Sequence, residues 1–341
     1  MGAIILWDMS QPKIFITRII PDPGLLLVKE HYLPDIWTHE LPPSRDELVE
    51  RSRGVDGLLC LLTEKIDGEL MDAIGPQLKV ISNMAVGVDN VDVAAATARG
   101  IPVGNTPGVL TDATADQALA LMLSAARRIV EADRFLKAGK WVTWHPSLLL
   151  GADFAGSTLG IVGFGRIGQA VAKRAQGFDM RVLYHSPNAK PAYGAHPVDL
   201  DTLLHECDFV SIHVPLKSET KHLVNAEFLS KMKPNAVLVN TARGGVLDQN
   251  ALYHALKSNQ IFAAALDVTN PEPLPMDSSL LELENCIIVP HLGSASKKTR
   301  DMMSFLAAQN LVAGLKGERL PNCVNPQVYN ASSSRNSIGT M

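Results

Sequence analysis

Short apolar runs alternate along this chain with longer stretches in which apolar residues recur at helical spacing, a pattern that predicts buried parallel strands joined by helices. Lys13 to Arg18 (KIFITR), Val55 to Leu62 (VDGLLCLL) and Lys79 to Met84 (KVISNM) read as strands. Arg45 to Ser52 and the stretch EKIDGELMDAIG, stopped by Gly75, read as helices between them. Function in such a unit belongs at the carboxyl ends of the strands. Pro102 to Pro107 is a turn-rich crossing. Thr111 to Gly139 predicts one long helix, capped by Thr111 or Asp112, whose apolar stripe packs two domains together or builds a dimer.

Beyond Thr158 the alternation becomes regular. Leu159 to Val162, Met180 to His185, Asp208 to Leu216, Ala236 to Ala242, Ala263 to Val268 and Cys286 to His291 supply six strands, the number of a full dinucleotide-binding sheet. An apolar helix from Arg300 to Gly317 returns to the first unit and completes it. The expected division is one domain of residues 11–107 plus 295–330 and a second of residues 108–294, with a cleft between them. The small polar stretch ASSSRNS makes 331–341 a disordered tail.

The chemistry starts at Gly163-Phe164-Gly165-Arg166-Ile167-Gly168, a G-x-G-x-x-G sequence between a strand and a helix. Gly163 allows the turn, Gly165 lets backbone N–H groups of the Arg166–Ile167 turn approach a pyrophosphate, and Gly168 allows helix and strand to pack closely. Three further residues fall just past successive strand ends: Arg243, Glu272 and His291. Arginine can grip a carboxylate with two parallel hydrogen bonds. Histidine exchanges a proton near neutral pH, and an adjacent carboxylate orients it and favours its charged form. Ala85 to Asn90 forms another strand-end loop, either a plain turn capped by Asp89 or Asn90, or a site where the Val86 and Gly87 amides hold a substrate carboxylate. Trp141 and Trp144 read as buried anchors, or as a tryptophan reaching a neighbouring subunit's pocket.

Composition narrows the class. Of 341 residues 46% are apolar and 19% charged, and the net charge of -4 provides no basic footprint for nucleic acid or anionic lipid. Cys60, Cys207, Cys286 and Cys323 are scattered, without metal-ligand or disulfide spacing, so no metal is expected and a reducing, cytoplasmic setting fits. Ala3 to Trp7 is too short for a signal-peptide core, no run reaches membrane-spanning length, and Met9 is an alternative start.

VGVDN, TLGIVGFGRIG, HVPL, NTARGG, LDVTNPEP and PHLGS occur in this order between about Val80 and Gly293, and together they resemble the D-2-hydroxyacid dehydrogenases. TPGVLTDATAD, KWVTWHP, LDVTNPEPLP and AAQNLVAGLKGE are most similar to that family's glyoxylate reductase/hydroxypyruvate reductase branch. The resemblance implies two doubly wound parallel-sheet domains, a Rossmann domain for the dinucleotide and a flavodoxin-like domain for the substrate. It implies Arg243 as substrate-binding arginine, Glu272 as the carboxylate paired to histidine, His291 as acid/base, and backbone contacts from Val86 and Gly87 to the substrate. It also implies a homodimer, with Trp144 bordering the neighbouring active site as a specificity candidate. The expected cofactor contacts are Gly163, Gly165, Arg166, Ile167, His185, Ser186, Asn188, Val214, Pro215, Thr241, Ala242, Asp267 and Gly293.

An NAD-selective site would place a carboxylate at the end of the second strand to hold the ribose 2′-hydroxyl. Here that stretch reads His185-Ser186-Pro187-Asn188-Ala189-Lys190, which favours NADPH and leaves NADH possible. The expected reaction is reduction of glyoxylate or hydroxypyruvate, with D-lactate or phosphite dehydrogenases and a dinucleotide-sensing corepressor as alternatives.

Overall fold

The short apolar runs form two parallel sheets, and residues 11–188 and 191–333 are described by the computed structural model. The chain divides into two units, one ending at Val109 and resuming at Ser296, the other running from Leu110 to Ala295.

The first unit runs β1 (Ile14–Ile16), α1 (Asp22–His31), β2 (Asp35–Ile36), α2 (Arg45–Ser52), β3 (Gly57–Cys60), α3 (Gly68–Ile74), β4 (Val80–Asn83), α4 (Val93–Ala98) and β5 (Val103–Gly104). Its strand order is β2-β1-β3-β4-β5, the flavodoxin-like order. Strands β1, β3 and β4 are buried throughout, as a sheet covered on both faces demands. Ser44 and Glu47 form a reciprocal capping box at α2, Asp67 caps α3, and Gly75 ends it at φ 111°. Strands β2 and β5 have two residues each, too few to leave an apolar run, so the stretch expected to be only a turn-rich crossing contains the edge strand β5.

The second unit departs from expectation at its first helix. The single long helix is two, α5 (Thr111–Ala126) and α6 (Ile129–Lys137). Between them Arg128 takes a left-handed φ of 52°, and its guanidinium reaches Glu131 in the new first turn through two contacts of 2.7 Å. Leu110, not Thr111 or Asp112, is the N-cap of α5, because the Asp112 carboxylate accepts from Arg174 instead. The α5 stripe of Ala115, Ala118, Met122 and Ala126 packs into this unit's own core with Leu159, Ile161, Val239 and Ala265. It is therefore core, rather than the interdomain or dimer face expected, whereas α6 buries no residue.

The unit continues through β6 (Thr158–Val162), α7 (Arg166–Ala175), β7 (Arg181–His185), β8 (His196–Pro197), α8 (Leu200–Glu206), β9 (Phe209–Ile212), α9 (Ala226–Ser230), β10 (Val237–Asn240), α10 (Gln249–Lys257), β11 (Ala263–Leu266) and β12 (Cys286–Ile288). The sheet order is β12-β11-β10-β9-β6-β7-β8, which is the 3-2-1-4-5-6 order of a dinucleotide domain with one strand added at the far edge. All six expected strands are present. The seventh, β8, was not legible because both of its residues are exposed and neither belongs to an apolar run.

Helix α11 (Lys297–Leu315) returns to the first unit, where Ser82 Oγ on β4 donates to the Ala307 carbonyl at 2.7 Å. Helix α12 (Val328–Ser333) begins with Val328 buried, and the Tyr329 hydroxyl accepts from the Leu320 amide at 2.9 Å. The tail expected from residue 331 is thus helical as far as Ser333, and 334–341 lie outside the described residues.

Candidate active site

The glycine sequence makes the turn its spacing requires. Gly163 follows β6 at φ 94°, and a Cβ there would come within 2.7 Å of the His213 carbonyl and 2.9 Å of Val214 Cγ1. A Cβ on Gly168 would meet the Gly163 carbonyl oxygen at 2.3 Å, so α7 can lie against the turn only without a side chain at this position. Gly165 is the N-cap of α7, and a Cβ there would meet nothing within 4 Å. Phe164 turns inward and stacks on Tyr184 of β7 at 4.0 Å, which fixes the turn to the sheet. The exposed Gly165 and Arg166 and the half-buried Ile167 therefore present the amide end of a helix with clear space in front of it.

The other strand ends of this unit lie alongside. Val214 is half-buried and Pro215 exposed after β9, while Thr241 and Ala242 follow β10. Thr241 Oγ1 is buried and has no hydrogen-bond partner among the described residues. An orphaned buried hydroxyl and an open, glycine-lined helix N-terminus fit a bound dinucleotide. His185 ends β7 with Nδ1 3.2 Å from the Val198 carbonyl, followed by the half-buried Ser186 and exposed Asn188. Lys190 lies outside the described residues. No carboxylate stands at this strand end from His185 to Asn188.

His291 and Glu272 meet directly. Nδ1 of His291 is 2.9 Å from Glu272 Oε2, with the two side chains 28% and 31% exposed. The other carboxylate oxygen accepts from the Thr269 amide at 3.0 Å. Burial acts to raise the Glu272 pKa, but the hydrogen bond and charge of His291, the Thr269 N–H and the Arg243 charge outweigh it and hold this carboxyl below its ordinary value. Arg243 lies just past β10, where Nη1 donates to the Ala242 carbonyl at 2.8 Å. Its neighbour Gly244 approaches the Thr269 carbonyl so closely that a Cβ would sit 1.9 Å away, which draws the arginine loop against the glutamate loop.

Asp267 has a position the sequence did not convey. It is 1% exposed, and its two oxygens accept from the Leu292 amide at 2.6 Å and the Gly293 amide at 2.8 Å. The His291 amide donates to the Asp267 carbonyl at 2.9 Å. Asp267 thus fastens the loop that carries His291, whose φ is 53°, and burial raises its carboxyl pKa against the two donors. Nothing local marks this partnership, which joins residues at the ends of two neighbouring strands.

In the first unit Val86 and Gly87 follow β4 and are half-buried. Asn90 does not cap a helix there. Its Nδ2 donates to the Leu61 and Glu64 carbonyls at 2.8 and 3.0 Å, and α4 is capped by Asp92. Trp141 and Trp144 are 57% and 76% exposed, so neither is a buried anchor. Trp144 has no hydrogen bond or ring contact among the described residues, and its side chain faces solvent. Among the described residues no group of three or more His, Cys, Asp or Glu could hold a metal ion.

A sheet in the order of dinucleotide domains, with its glycine turn on the strand where that order reverses, is the architecture of a dinucleotide-binding protein. Residues 119–293 match the family model described as D-isomer specific 2-hydroxyacid dehydrogenase, NAD binding domain. The chain is 51% identical over 323 residues to a glyoxylate reductase of Korarchaeum cryptofilum, covering 93% of this chain and 97% of that one. A solved structure of a Thermus thermophilus protein aligns with a TM-score of 0.87 at 48% identity, covering 92% of this chain and 99% of that one. An NADPH-dependent glyoxylate/hydroxypyruvate reductase of Sinorhizobium meliloti, solved in complex with NADP and malonate, aligns with a TM-score of 0.82 at 34% identity, covering 93% of this chain and 98% of that one. The chain belongs to the D-isomer-specific 2-hydroxyacid dehydrogenases.

Proposed function

We propose that this protein reduces small 2-keto acids, glyoxylate to glycolate and hydroxypyruvate to D-glycerate. The observation that carries the reading is the 2.9 Å contact of His291 with Glu272 in the same unit as the dinucleotide turn. A reduced nicotinamide, when bound, supplies the hydride for the keto carbon. The chain's own residues do the rest. Glu272 holds the proton on His291 Nδ1, so Nε2 is the nitrogen that delivers a proton to the keto oxygen, and His291 returns to neutral imidazole. Arg243 grips the carboxylate and offsets negative charge developing on the oxygen, while the Val86 and Gly87 amides bind the carboxylate. Asp267 positions the His291 loop.

The dinucleotide pyrophosphate is assigned to Gly163, Gly165, Arg166 and Ile167, with Val214, Pro215, Thr241, Ala242 and Gly293 along the remaining strand ends. NADPH is the favoured cofactor because His185, Ser186 and Asn188 can donate to a 2′-phosphate and no carboxylate repels it; NADH remains usable. The domain roles follow, with residues 108–294 for the dinucleotide and 11–107 plus 295–330 for the substrate. A homodimer is part of the proposal, supported by Ile129, Leu136, Trp141, Val142 and Leu150, which lie close in sequence and are all more than half exposed. Trp144 is then a specificity residue presented to the partner. A cytoplasmic location is supported by cysteines that are all free thiols. No helix among the described residues is long and apolar enough to cross a membrane.

The test is steady-state reduction of glyoxylate, hydroxypyruvate and pyruvate, each with NADPH and NADH. Turnover of glyoxylate or hydroxypyruvate with a higher kcat/KM for NADPH is expected. Dinucleotide binding without turnover of any 2-keto acid would overturn the reading.

A further inference from the structure

The loop after β4 carries three successive peptides whose carbonyls are each held by a fixed donor. The Ala85 carbonyl accepts from the Thr106 amide at 2.9 Å, the Val86 carbonyl from Asn105 Nδ2 at 2.9 Å, and the Gly87 carbonyl from Asn83 Nδ2 at 3.0 Å. In a planar trans peptide the C=O and N–H point in opposite directions, so fixing one aims the other. The N–H groups on these same three peptides belong to Val86, Gly87 and Val88. Among the described residues none of the three donates to a protein acceptor.

The donors are themselves braced. The Asn105 carbonyl accepts from Asn310 Nδ2 at 2.9 Å, and Asn310, fully buried, also accepts from the Asn322 amide at 3.0 Å. Asn83, also fully buried, donates to Asn90 Oδ1 at 3.0 Å, and Asn90 is tied to the β3 end through the Leu61 carbonyl. Half-buried N–H groups without partners are costly unless an acceptor arrives, and donors fixed in advance need no reorganisation when it does.

We propose that Asn105 and Asn83 are positioning residues for substrate. Asn105 aims the Gly87 N–H and Asn83 aims the Val88 N–H, so the carboxylate-binding loop is set before substrate arrives and extends one amide beyond Val86 and Gly87. This rests on the reading of the loop as the carboxylate site. Neither asparagine touches substrate; each acts through the peptide whose carbonyl it holds.

The experiment compares wild type with Asn105→Asp, which is nearly the same size but sets an acceptor against the Val86 carbonyl, and with the half-buried position truncated as Asn105→Ala. For each protein, kcat and KM for glyoxylate, the Kd for NADPH, and the affinity of the NADP-loaded protein for oxalate, a carboxylate that cannot be reduced, are measured. Loss of one aimed charge-assisted bond predicts a rise of about tenfold to a hundredfold in glyoxylate KM, with kcat less affected, NADPH Kd unchanged, and oxalate binding weakened in parallel. Unchanged KM and oxalate affinity would overturn the proposal. So would variants in which NADPH affinity and thermal stability are lost as KM rises, the mark of a merely structural role. If wild type reduces no 2-keto acid but Asn105→Asp still loses oxalate, the reading of the reaction fails while the positioning role stands.

Discussion

His291 Nδ1 lies 2.9 Å from Glu272 Oε2, and this single contact assigns the two ring nitrogens different tasks. The nitrogen facing the carboxylate is committed to it, which leaves Nε2 to exchange a proton with substrate. His291→Ala should lower kcat by about a hundredfold to ten-thousandfold while NADPH still binds, since only proton transfer is removed. Single-turnover rates beside a fluorescence titration of NADPH would check it, and full activity in the variant would refute the role.

Glu272→Gln keeps the shape of the pair but removes its charge. Glu272 is held below its ordinary pKa by the hydrogen bond and charge of His291, so it is ionised throughout the neutral range and faces Nδ1 as an acceptor. In the variant a neutral amide takes the place of that acceptor, and the ring loses the partner that fixes its orientation and tautomer. The kcat for reduction should fall about tenfold to a hundredfold with NADPH Kd unchanged. A kcat equal to wild type would show that the carboxylate does not act on the proton donor.

Two glycines in one turn should fail differently. Gly168→Ala places a methyl group 2.3 Å from the Gly163 carbonyl and should cost about 1–3 kcal/mol of stability through the forced shift of α7. At Gly165 a Cβ meets no atom within 4 Å, so Gly165→Asp retains a good N-cap residue and brings negative charge to the place assigned to the pyrophosphate. It should leave thermal stability unchanged and weaken NADPH binding at least about tenfold. Equal effects of both variants on stability would refute the distinction.

His213, next to the glycine turn, accounts for a separate pH effect. Burial lowers its pKa to about 4 from an ordinary 6.5, and its Nε2 lies 2.8 Å from Ser211 Oγ. Between those values the unfolded chain binds a proton that the folded chain refuses. The stability that depends on a neutral His213 is therefore complete above about pH 6.5 and is lost as pH falls toward 4, with a slope of up to about 1.4 kcal/mol per pH unit. Denaturant titrations at pH 5 and 7 should show a smaller difference for His213→Gln than for wild type.

Apolar spacing and residue order were enough to show the alternation of strands and helices, the glycine turn and the placement of Arg243, Glu272 and His291 just past strand ends. These are local properties, since each depends on apolar spacing or on a residue's offset from an apolar run. Strands β2, β5 and β8 escaped because two residues carry no period, and their existence is decided by a neighbouring strand. The break at Arg128 escaped because it depends on a left-handed residue and a contact with Glu131, while the apolar spacing on either side continues undisturbed. Only the tertiary structure revealed that Asp267 fastens the His291 loop and that Asn105 and Asn83 hold the Val86 and Gly87 carbonyls. A hydrogen bond between residues distant along the chain leaves no spacing to read, because folding alone brings donor and acceptor within reach.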